Sequence, residues 1–279
     1  MQKVAESRRF LAAIDLDGTL LDETSRVADG NRAALHTLVD RGAVVALASG
    51  RHPIDMRRFA AGLPMVGWIV GCQGCEVSDV SGQRILGRHV LPAGVALRAA
   101  EAGNRAGFGV VAYTADGEVT PWEHPEIARY ESVSRTRVGR IHPGQLEGES
   151  FFKLMWIADT PRIDALIDAG GPGAAAAGVD TVRSHNYVFE FVPPGVTKGT
   201  GVAALARHLG IARERVIAFG DADNDLPLFS WAGRSVAMPH ARAHVRARAT
   251  SVAPSGSPGA AFARGVEALI ADGWAPLFS

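Results

Sequence analysis

The sequence contains few cysteines, few aromatic residues and no excess of charge of either sign. Two cysteines among 279 residues cannot form a disulfide framework, and such sparse cysteine is typical of a reducing compartment. Lysine plus arginine and aspartate plus glutamate each number 29, whereas a nucleic-acid or anionic-membrane surface needs clustered positive charge. No apolar run approaches the ~18 residues of a membrane span, and no signal peptide is visible. We therefore expect a cytoplasmic protein that binds neither nucleic acid nor membrane; nothing in the sequence indicates its oligomeric state.

Short apolar segments alternate with helical patterns at both ends of the chain. Phe10–Ile14, Ala43–Ala48 and Val216–Phe219 are predicted buried strands, and helical patterns lie between such strands. This alternation predicts an α/β domain with a Rossmann-like, doubly wound parallel sheet. Between the two ends the predicted strands alternate in polarity, which favours an inserted α+β domain with a mixed or antiparallel sheet. The predicted core is 1–88 and 190–279, and the predicted insertion is 89–189.

Two aspartates and a glycine directly follow the first predicted strand. Asp15, Asp17 and Thr19 lie in the segment Asp-Leu-Asp-Gly-Thr, where Phe10–Ile14 ends. Open α/β sheets bind ligands at the carboxyl ends of their strands. Two carboxylates two residues apart can supply a nucleophile and an acid or base. By itself, the segment is also consistent with a turn that carries two solvated aspartates.

Two further positions combine groups that bind anions. Ser49, Gly50 and Arg51 follow the second predicted strand and offer a hydroxyl, a glycine amide and a guanidinium near a helix start. Lys198 begins a predicted helix, where its charge opposes the helix dipole unless an anion lies beside it. Taken alone, Ser49 is better explained as an ordinary helix cap, and Lys198 as a solvated surface residue.

The last cluster of polar residues follows the buried strand Val216–Phe219. Residues 220–225 are Gly-Asp-Ala-Asp-Asn-Asp, so three carboxylates and one amide lie within five residues. Such hard oxygen ligands suit Mg²⁺. The same residues also suit a turn followed by a capped helix, whereas the closing glutamate of a helix-loop-helix calcium site is missing.

In this order, the four segments resemble the signature motifs of the haloacid dehalogenase-like (HAD) hydrolase superfamily. Asp15–Thr19 matches the first motif, Ser49–Arg51 the second, Lys198 the third and 220–225 the fourth. The stretch Glu190–Gly199 and the large insertion before it are similar to the Cof-type branch of sugar-phosphate phosphatases. The resemblance implies a phosphoric monoester hydrolase that acts on a small phosphate ester and uses Mg²⁺ as its cofactor.

The resemblance also implies roles for the catalytic and metal-binding residues. Asp15 is expected to attack phosphorus and form an aspartyl-phosphate, while Asp17 protonates the leaving alcohol and then deprotonates water. Mg²⁺ is expected to bind Asp15, the backbone carbonyl of Asp17, and Asp221. Lys198 is expected to bind the phosphoryl group and to shield the anionic nucleophile.

The remaining motif residues are expected to support the phosphate or the metal. Those assigned to the phosphate, besides Lys198, are Thr19, Ser49, Gly50, Arg51 and Asn224. Asp225 is expected to act indirectly, through a water molecule or through Lys198. A phosphomutase or phosphotransferase on the same scaffold remains open. A non-catalytic regulatory binding protein is also open, although it predicts the loss of a motif residue and none is missing.

Three segments depart from the pattern of the superfamily. Gln73-Gly74 stands where Asn-Gly is common, Met238–Ala241 where Gly-Asn-Ala is common, and Pro254–Pro258 replaces an acidic segment. None of them is a motif catalyst, so the departures leave the predicted reaction intact and put only the substrate in doubt.

Two other features have no assigned chemistry. Cys72 and Cys75 have the spacing of a redox or metal pair, but no second pair exists to complete a zinc site, and any role stays open. In the predicted insertion, Trp122 and Arg137 are candidate substrate contacts. Because the core holds every motif residue, the insertion is expected to select the substrate and exclude water rather than to perform chemistry.

Overall fold

The computed structural model describes residues 9–92 and 94–274 of the chain. The chain forms two compact units. The first, named the core unit, comprises Met1–Gly87 and Thr197–Ser279, and the second, the inserted unit, comprises Arg88–Val196. The predicted boundaries lie after residues 88 and 189. In the structure the second boundary falls later, because Val188–Val192 pairs with a strand of the inserted unit.

Both units are built from strands and helices. The strands are β1 (Phe10–Ile14), β2 (Ala43–Ala48), β3 (Val66–Gly71), β4 (Glu76–Asp79), β5 (Ile85–Arg88), β6 (Gly109–Tyr113), β7 (Glu118–Thr120), β8 (Gly139–Arg140), β9 (Lys153–Ile157), β10 (Asp180–His185), β11 (Val188–Val192), β12 (Val216–Gly220), β13 (Arg234–Ala237) and β14 (Ser251–Val252). The helices are α1 (Asp29–Asp40), α2 (Pro53–Ala60), α3 (Val95–Arg105), α4 (Pro125–Ser134), α5 (Thr160–Asp168), α6 (Lys198–His208), α7 (Leu226–Trp231), α8 (Ala243–Arg246) and α9 (Ala261–Ala271). Within the described part of the chain, no helix is both long and apolar enough to cross a membrane.

The core unit is built on one twisted sheet with the strand order β14-β13-β12-β1-β2-β3-β4-β5. Every pair of neighbours from β14 to β3 is parallel, whereas β4 runs antiparallel to β3. The predicted α/β fold with a Rossmann-like parallel sheet is therefore confirmed. The antiparallel strand β4 extends this sheet beyond the turn at residues 72–74.

Strand β1 lies at the centre of the sheet and is buried on both faces. Phe10 and Ile14 belong to the same hydrophobic cluster as Leu35 of α1 and Phe262 of α9. Leu11 points to the opposite face and belongs to a second cluster, which includes residues of α6 and α7. Two apolar faces explain why the sequence of β1 is continuously apolar rather than alternating. Burial of each large side chain contributes roughly 1.5–3 kcal/mol to the folded state.

The inserted unit has its own sheet, with the strand order β10-β11-β9-β6-β7-β8. Its pairs are antiparallel except for β7 with β8, which agrees with the predicted α+β insertion. One face carries an apolar cluster that includes Trp156 and Phe191. A buried ion pair lies within the same sheet, where Lys153 Nζ donates to Glu190 Oε1 at 2.7 Å. This unit therefore combines an apolar core with buried charge.

The topology of the core unit brings three motifs to one edge of the sheet. Strands β12, β1 and β2 are neighbours and parallel, so their carboxyl ends lie side by side. Asp15, Ser49 and Asp221 each directly follow one of these strands. Open α/β sheets bind ligands at this edge, so we expect the ligand-binding site there.

Candidate active site

Asp15 is buried at the point where β1 ends. Its backbone N–H donates to the carbonyl of Phe219 in β12 at 3.0 Å, which ties the start of the next turn to the neighbouring strand. The chain then turns through residues 16–20, where Gly18 has φ +81°. A Cβ on Gly18 would lie 2.5 Å from Asp221 Oδ2. Glycine is thus required for the first motif to approach the fourth this closely.

Lys198 joins the carboxylates of Asp15 and Asp225. Its Nζ donates to Asp15 Oδ1 at 2.6 Å and to Asp225 Oδ1 at 2.8 Å, and all three residues are buried. Lys198 is the first residue of α6, which Thr197 caps by accepting the N–H of Thr200 at 3.1 Å. The lysine at this helix start therefore has two anions beside it, which offset its unfavourable position on the helix dipole.

Asp225 is fully buried, and both of its carboxylate oxygens accept hydrogen bonds. Oδ1 accepts from Lys198, while Oδ2 accepts the backbone N–H of Asp221 at 3.0 Å and that of Ala222 at 3.1 Å. These bonds hold the fourth motif in a tight turn and fix the backbone that carries Asp221. An indirect role for Asp225, through Lys198, agrees with these contacts and stays a prediction.

Thr19 and Asp221 connect the first motif to the fourth. Thr19 is buried, and its Oγ1 donates to Asp221 Oδ1 at 3.2 Å. The predicted role of Thr19 is to bind the phosphate of the substrate. In the structure its hydroxyl orients a carboxylate, and a phosphate contact of Thr19 stays a prediction.

The electrostatics of the site reveal an excess of negative charge. The pKa of Asp221 is raised to about 7, chiefly by burial and then by the neighbouring Asp225 carboxylate. Burial also raises the pKa of Asp15 well above its usual range, although Lys198 acts in the opposite direction. Burial alone would lower the pKa of Lys198, but the attraction of Asp15 and Asp225 raises it instead. One lysine therefore does not neutralise these carboxylates.

The acidic group fits a divalent cation. Oxygens of Asp15, Asp221 and Asp225 all lie within 4.8 Å of one another. Hard oxygen donors suit Mg²⁺, and a dication would neutralise the charge that raises the pKa of Asp15 and of Asp221. Two predicted carboxylate ligands, Asp15 and Asp221, belong to this group. The carboxylate of Asp17 does not belong to this group. The predicted metal ligand of Asp17 is its backbone carbonyl.

Asp17 and Arg51 form a bidentate ion pair between the first two motifs. Nε of Arg51 donates to Asp17 Oδ2 at 2.7 Å, and Nη2 donates to Oδ1 at 2.6 Å. A forked pair of this kind fixes the plane of the carboxylate. Ser49 stabilises the same turn, since its Oγ accepts the backbone N–H of Arg51 at 3.2 Å. Arg51 thus contacts the expected acid and base, and phosphate binding by Arg51 stays a prediction.

Gln73 is a buried contact that sequence reasoning did not assign. Its backbone N–H donates to the carbonyl of Ser49 at 3.1 Å, and its side-chain Oε1 accepts from Asn224 Nδ2 at 3.2 Å. Gln73 has φ +62° and Cys72 has φ +49°, values that residues other than glycine rarely adopt. A Cβ on Gly50 would lie 2.5 Å from Gln73 Nε2, so a larger residue there would displace the amide of Gln73. The only signal in the sequence was the departure at residue 73 from the superfamily pattern.

His240 is the second unassigned contact. Its Nε2 lies 2.8 Å from the backbone oxygen of Gly18, in the turn of the first motif. Here too, the only signal in the sequence was that residues 238–241 depart from the superfamily pattern. Cys72 and Cys75, by contrast, are both buried and form no disulfide.

Comparisons with known proteins identify the class of this protein. Residues 12–262 match the family described as haloacid dehalogenase-like hydrolase. The match covers most of the sequence, and the chain belongs to this family. The resemblance drawn from the four motifs is therefore confirmed, and so is the prediction of a hydrolase.

Individual relatives agree with the family match. An HMP-PP phosphatase of Serratia proteamaculans is 30% identical over 233 residues, which are 83% of this chain and 84% of the relative. The structure of a sugar phosphatase of HAD subclass IIB has a TM-score of 0.81 at 18% identity, covering 95% of this chain and 99% of that one. A HAD/COF-like hydrolase of Plasmodium vivax has a TM-score of 0.83 at 20% identity, covering 95% and 96%. The two structures are evidence for the fold. The family match and the phosphatase relative confirm the predicted enzyme class, a phosphoric monoester hydrolase.

Proposed function

We propose that the protein is a Mg²⁺-dependent phosphatase that hydrolyses small phosphate monoesters through an aspartyl-phosphate on Asp15. The observation that carries the proposal is the buried Lys198, which contacts both Asp15 and Asp225 where a third carboxylate, Asp221, lies close by. This arrangement pairs a nucleophile with a fixed positive charge beside a group of oxygens that suits a metal ion. The relatives are phosphatases, which supports phosphate esters as the class of substrate.

In the first proposed step, an oxygen of Asp15 attacks phosphorus while the bond from phosphorus to the leaving oxygen breaks. Lys198 favours the ionised form of Asp15 and offers positive charge to the phosphoryl oxygens. The carboxyl of Asp17 gives its proton to the leaving alcohol. Because both oxygens of Asp17 accept from Arg51, the proton that Asp17 carries must occupy a lone pair that the guanidinium leaves open.

In the second step, water attacks phosphorus and the bond to Asp15 breaks, which releases inorganic phosphate. The carboxylate of Asp17 takes the proton of the water. The ion pair with Arg51 suits this step, because it stabilises the form of Asp17 that accepts a proton. The hydroxyl of Ser49 and the amide of Gly50 would bind phosphoryl oxygens near the start of α2.

The predicted ligands of Mg²⁺ are Asp15, Asp221 and the backbone carbonyl of Asp17. When bound there, the ion supplies positive charge between the anionic nucleophile and the phosphoryl group. Asp225 and Thr19 would keep the ligands in position, the first through Lys198 and two backbone amides, the second through Asp221.

Release of inorganic phosphate tests the proposal. The screen would offer sugar phosphates, nucleotides and HMP-PP to the wild-type protein and to Asp15→Asn, with the exposed Asp40→Asn as the matched control. We expect Asp40→Asn to retain wild-type activity. Asp15→Asn should retain less than about a thousandth of it, because an amide is a poor nucleophile and one charge partner of the metal is lost. Higher activity in Asp15→Asn would refute the assignment of the nucleophile.

The same assay separates the other functions. A phosphomutase would convert its substrate without releasing free phosphate, and a regulatory binding protein would bind an ester without turnover. The physiological ester, the cytoplasmic location and the absence of a nucleic-acid partner stay predictions.

A further inference from the structure

The segment that follows β13 lies against the fourth motif. The backbone N–H of Met238 donates to the carbonyl of Gly220 at 2.9 Å, directly before Asp221. Three basic side chains then occur at alternate positions, which are His240, Arg242 and His244. We name residues 239–244 the basic segment.

Each basic side chain of this segment contacts an acidic residue of the fourth motif. Arg242 and His244 both pair with Asp223. His240 approaches Asp221 instead, with Nε2 at 3.8 Å from Oδ2. The basic segment therefore contacts two of the three aspartates of the fourth motif, Asp221 and Asp223.

His240 also contacts the first motif. A backbone carbonyl can only accept a hydrogen bond, so the 2.8 Å contact with Gly18 requires His240 Nε2 to carry a hydrogen and donate it. The same N–H thus faces the turn that follows Asp17 and the carboxylate of Asp221. A single side chain connects the two motifs that carry the expected metal ligands.

We propose that His240 is a positioning residue for the divalent cation, because it fixes the first-motif turn relative to Asp221. This inference rests on the proposed function. Residues 16–20 do not follow regular helical geometry, since Asp17 has ψ 118° and Gly18 has φ +81°. The turn is also held by the bond from Thr19 to Asp221. Without the bond to the Gly18 carbonyl it would lose one of its ordering contacts, so more of its ordering would accompany metal binding and weaken affinity.

The backbone around His240 is suited to hold a side chain in place. Ala241 is buried, and its N–H donates to the carbonyl of Met238 at 3.1 Å, so residues 238–241 form a tight turn. Pro239 restricts the φ angle before His240. The guanidinium of Arg246 donates to the carbonyls of Pro239 and Ala241 from the other side. A donor on such a turn loses little conformational freedom when it makes its bond.

Direct measurement of cation binding, without substrate, tests this inference. Mn²⁺ binding would be followed by electron paramagnetic resonance in wild type, His240→Gln and His240→Met. Glutamine keeps a side-chain N–H donor, whereas methionine keeps a similar length without one. The matched control is His36→Met, at an exposed position of α1. Because one hydrogen bond contributes about 1 kcal/mol, we expect His240→Met to bind Mn²⁺ about five-fold more weakly, with His240→Gln and His36→Met within about two-fold of wild type.

Two results would overturn the inference. One is that His240→Met, folded as judged by circular dichroism, binds Mn²⁺ as tightly as wild type. The other is that His240→Gln loses as much affinity as His240→Met, because the N–H donor would then not be the reason for the effect. Failure of the proposed function is distinguishable, since in that case the wild-type protein itself would bind no Mn²⁺ or release no phosphate.

Discussion

Metal-free protein should become less stable as the pH rises from about 5 to about 8, and Mg²⁺ should remove most of this loss. The reason is the pKa of Asp221, which is about 7 in the folded protein against an ordinary value of 3.8. The folded state therefore binds a proton at Asp221 more tightly than the unfolded state does. Stability from this group is fully present below the ordinary pKa and is lost as the pH rises through the folded value.

The size of the effect follows from the same two values. A shift from 3.8 to about 7 corresponds to roughly 4 kcal/mol. This is an upper bound, because the side chain of Asp221 is 18% exposed. For a domain of this size, 1 kcal/mol changes the melting temperature by about 2–4 °C, so we expect a shift of up to ~16 °C. The raised pKa of Asp15 acts in the same direction.

Scanning calorimetry with a chelator, and then with Mg²⁺, would measure the effect across this pH range. Asp221→Asn removes the titrating carboxylate, so the difference between wild type and this variant isolates its contribution. The carboxylates whose pKa is lowered, Asp22, Asp79 and Glu131, lose their contribution only as the pH falls below their usual range. Mg²⁺ needs ionised ligands, so its stabilisation should be larger at the higher pH. Equal pH dependence of metal-free wild type and Asp221→Asn would refute this reasoning.

Three further predictions concern turnover. Asp17→Asn should lower the rate of phosphate release by about 100-fold or more, because Asp17 is the expected acid and base; a near wild-type rate would place that role elsewhere. Ca²⁺ should not replace Mg²⁺ in the release assay, since its larger and looser shell misplaces the nucleophile, and equal rates would contradict a compact site. Arg137→Ala, on the exposed surface of the inserted unit, should change the ratio of specificity constants among natural esters and leave a small aryl phosphate unaffected. Trp122 is a poorer choice for that test because it packs against the hydrophobic cluster of the inserted unit. A uniform loss in Arg137→Ala would mean that the insertion takes part in the chemistry.

The fold and the principal charged groups were predictable because each rests on a local pattern. Continuously apolar strands indicate a sheet that is buried on both faces, and residues just after such strands meet at one edge. Asp15, Ser49 and Asp221 meet this condition, and the lysine that begins α6 was unusual enough to suggest an anion beside it. The structure brings Lys198 together with Asp15 and Asp225.

The contacts that sequence reasoning missed depend on distances between segments that are far apart in the chain. Arg51 has the chemistry of a phosphate ligand, and nothing in its neighbourhood shows that its guanidinium faces Asp17. Gln73 and His240 contact the motifs from loops that follow other strands. The only signal for these two residues was that they depart from the superfamily pattern. A departure does not show which residue the side chain contacts. The end of the inserted unit, after β11, could not be predicted for the same reason, because it depends on the pairing of β11 with β9.

The charges at this edge of the sheet also predict an order of binding. Four carboxylates, those of Asp15, Asp17, Asp221 and Asp225, contact or lie beside two cations, Lys198 and Arg51. With all groups ionised, two negative charges remain, and a phosphate monoester that is itself a dianion would be repelled. A divalent cation cancels this remainder, so the charges favour metal binding before the ester. Burial is the largest cause of the raised pKa of Asp221, and the neighbouring negative charge adds to it. Protonation is the other way in which the site can lose negative charge.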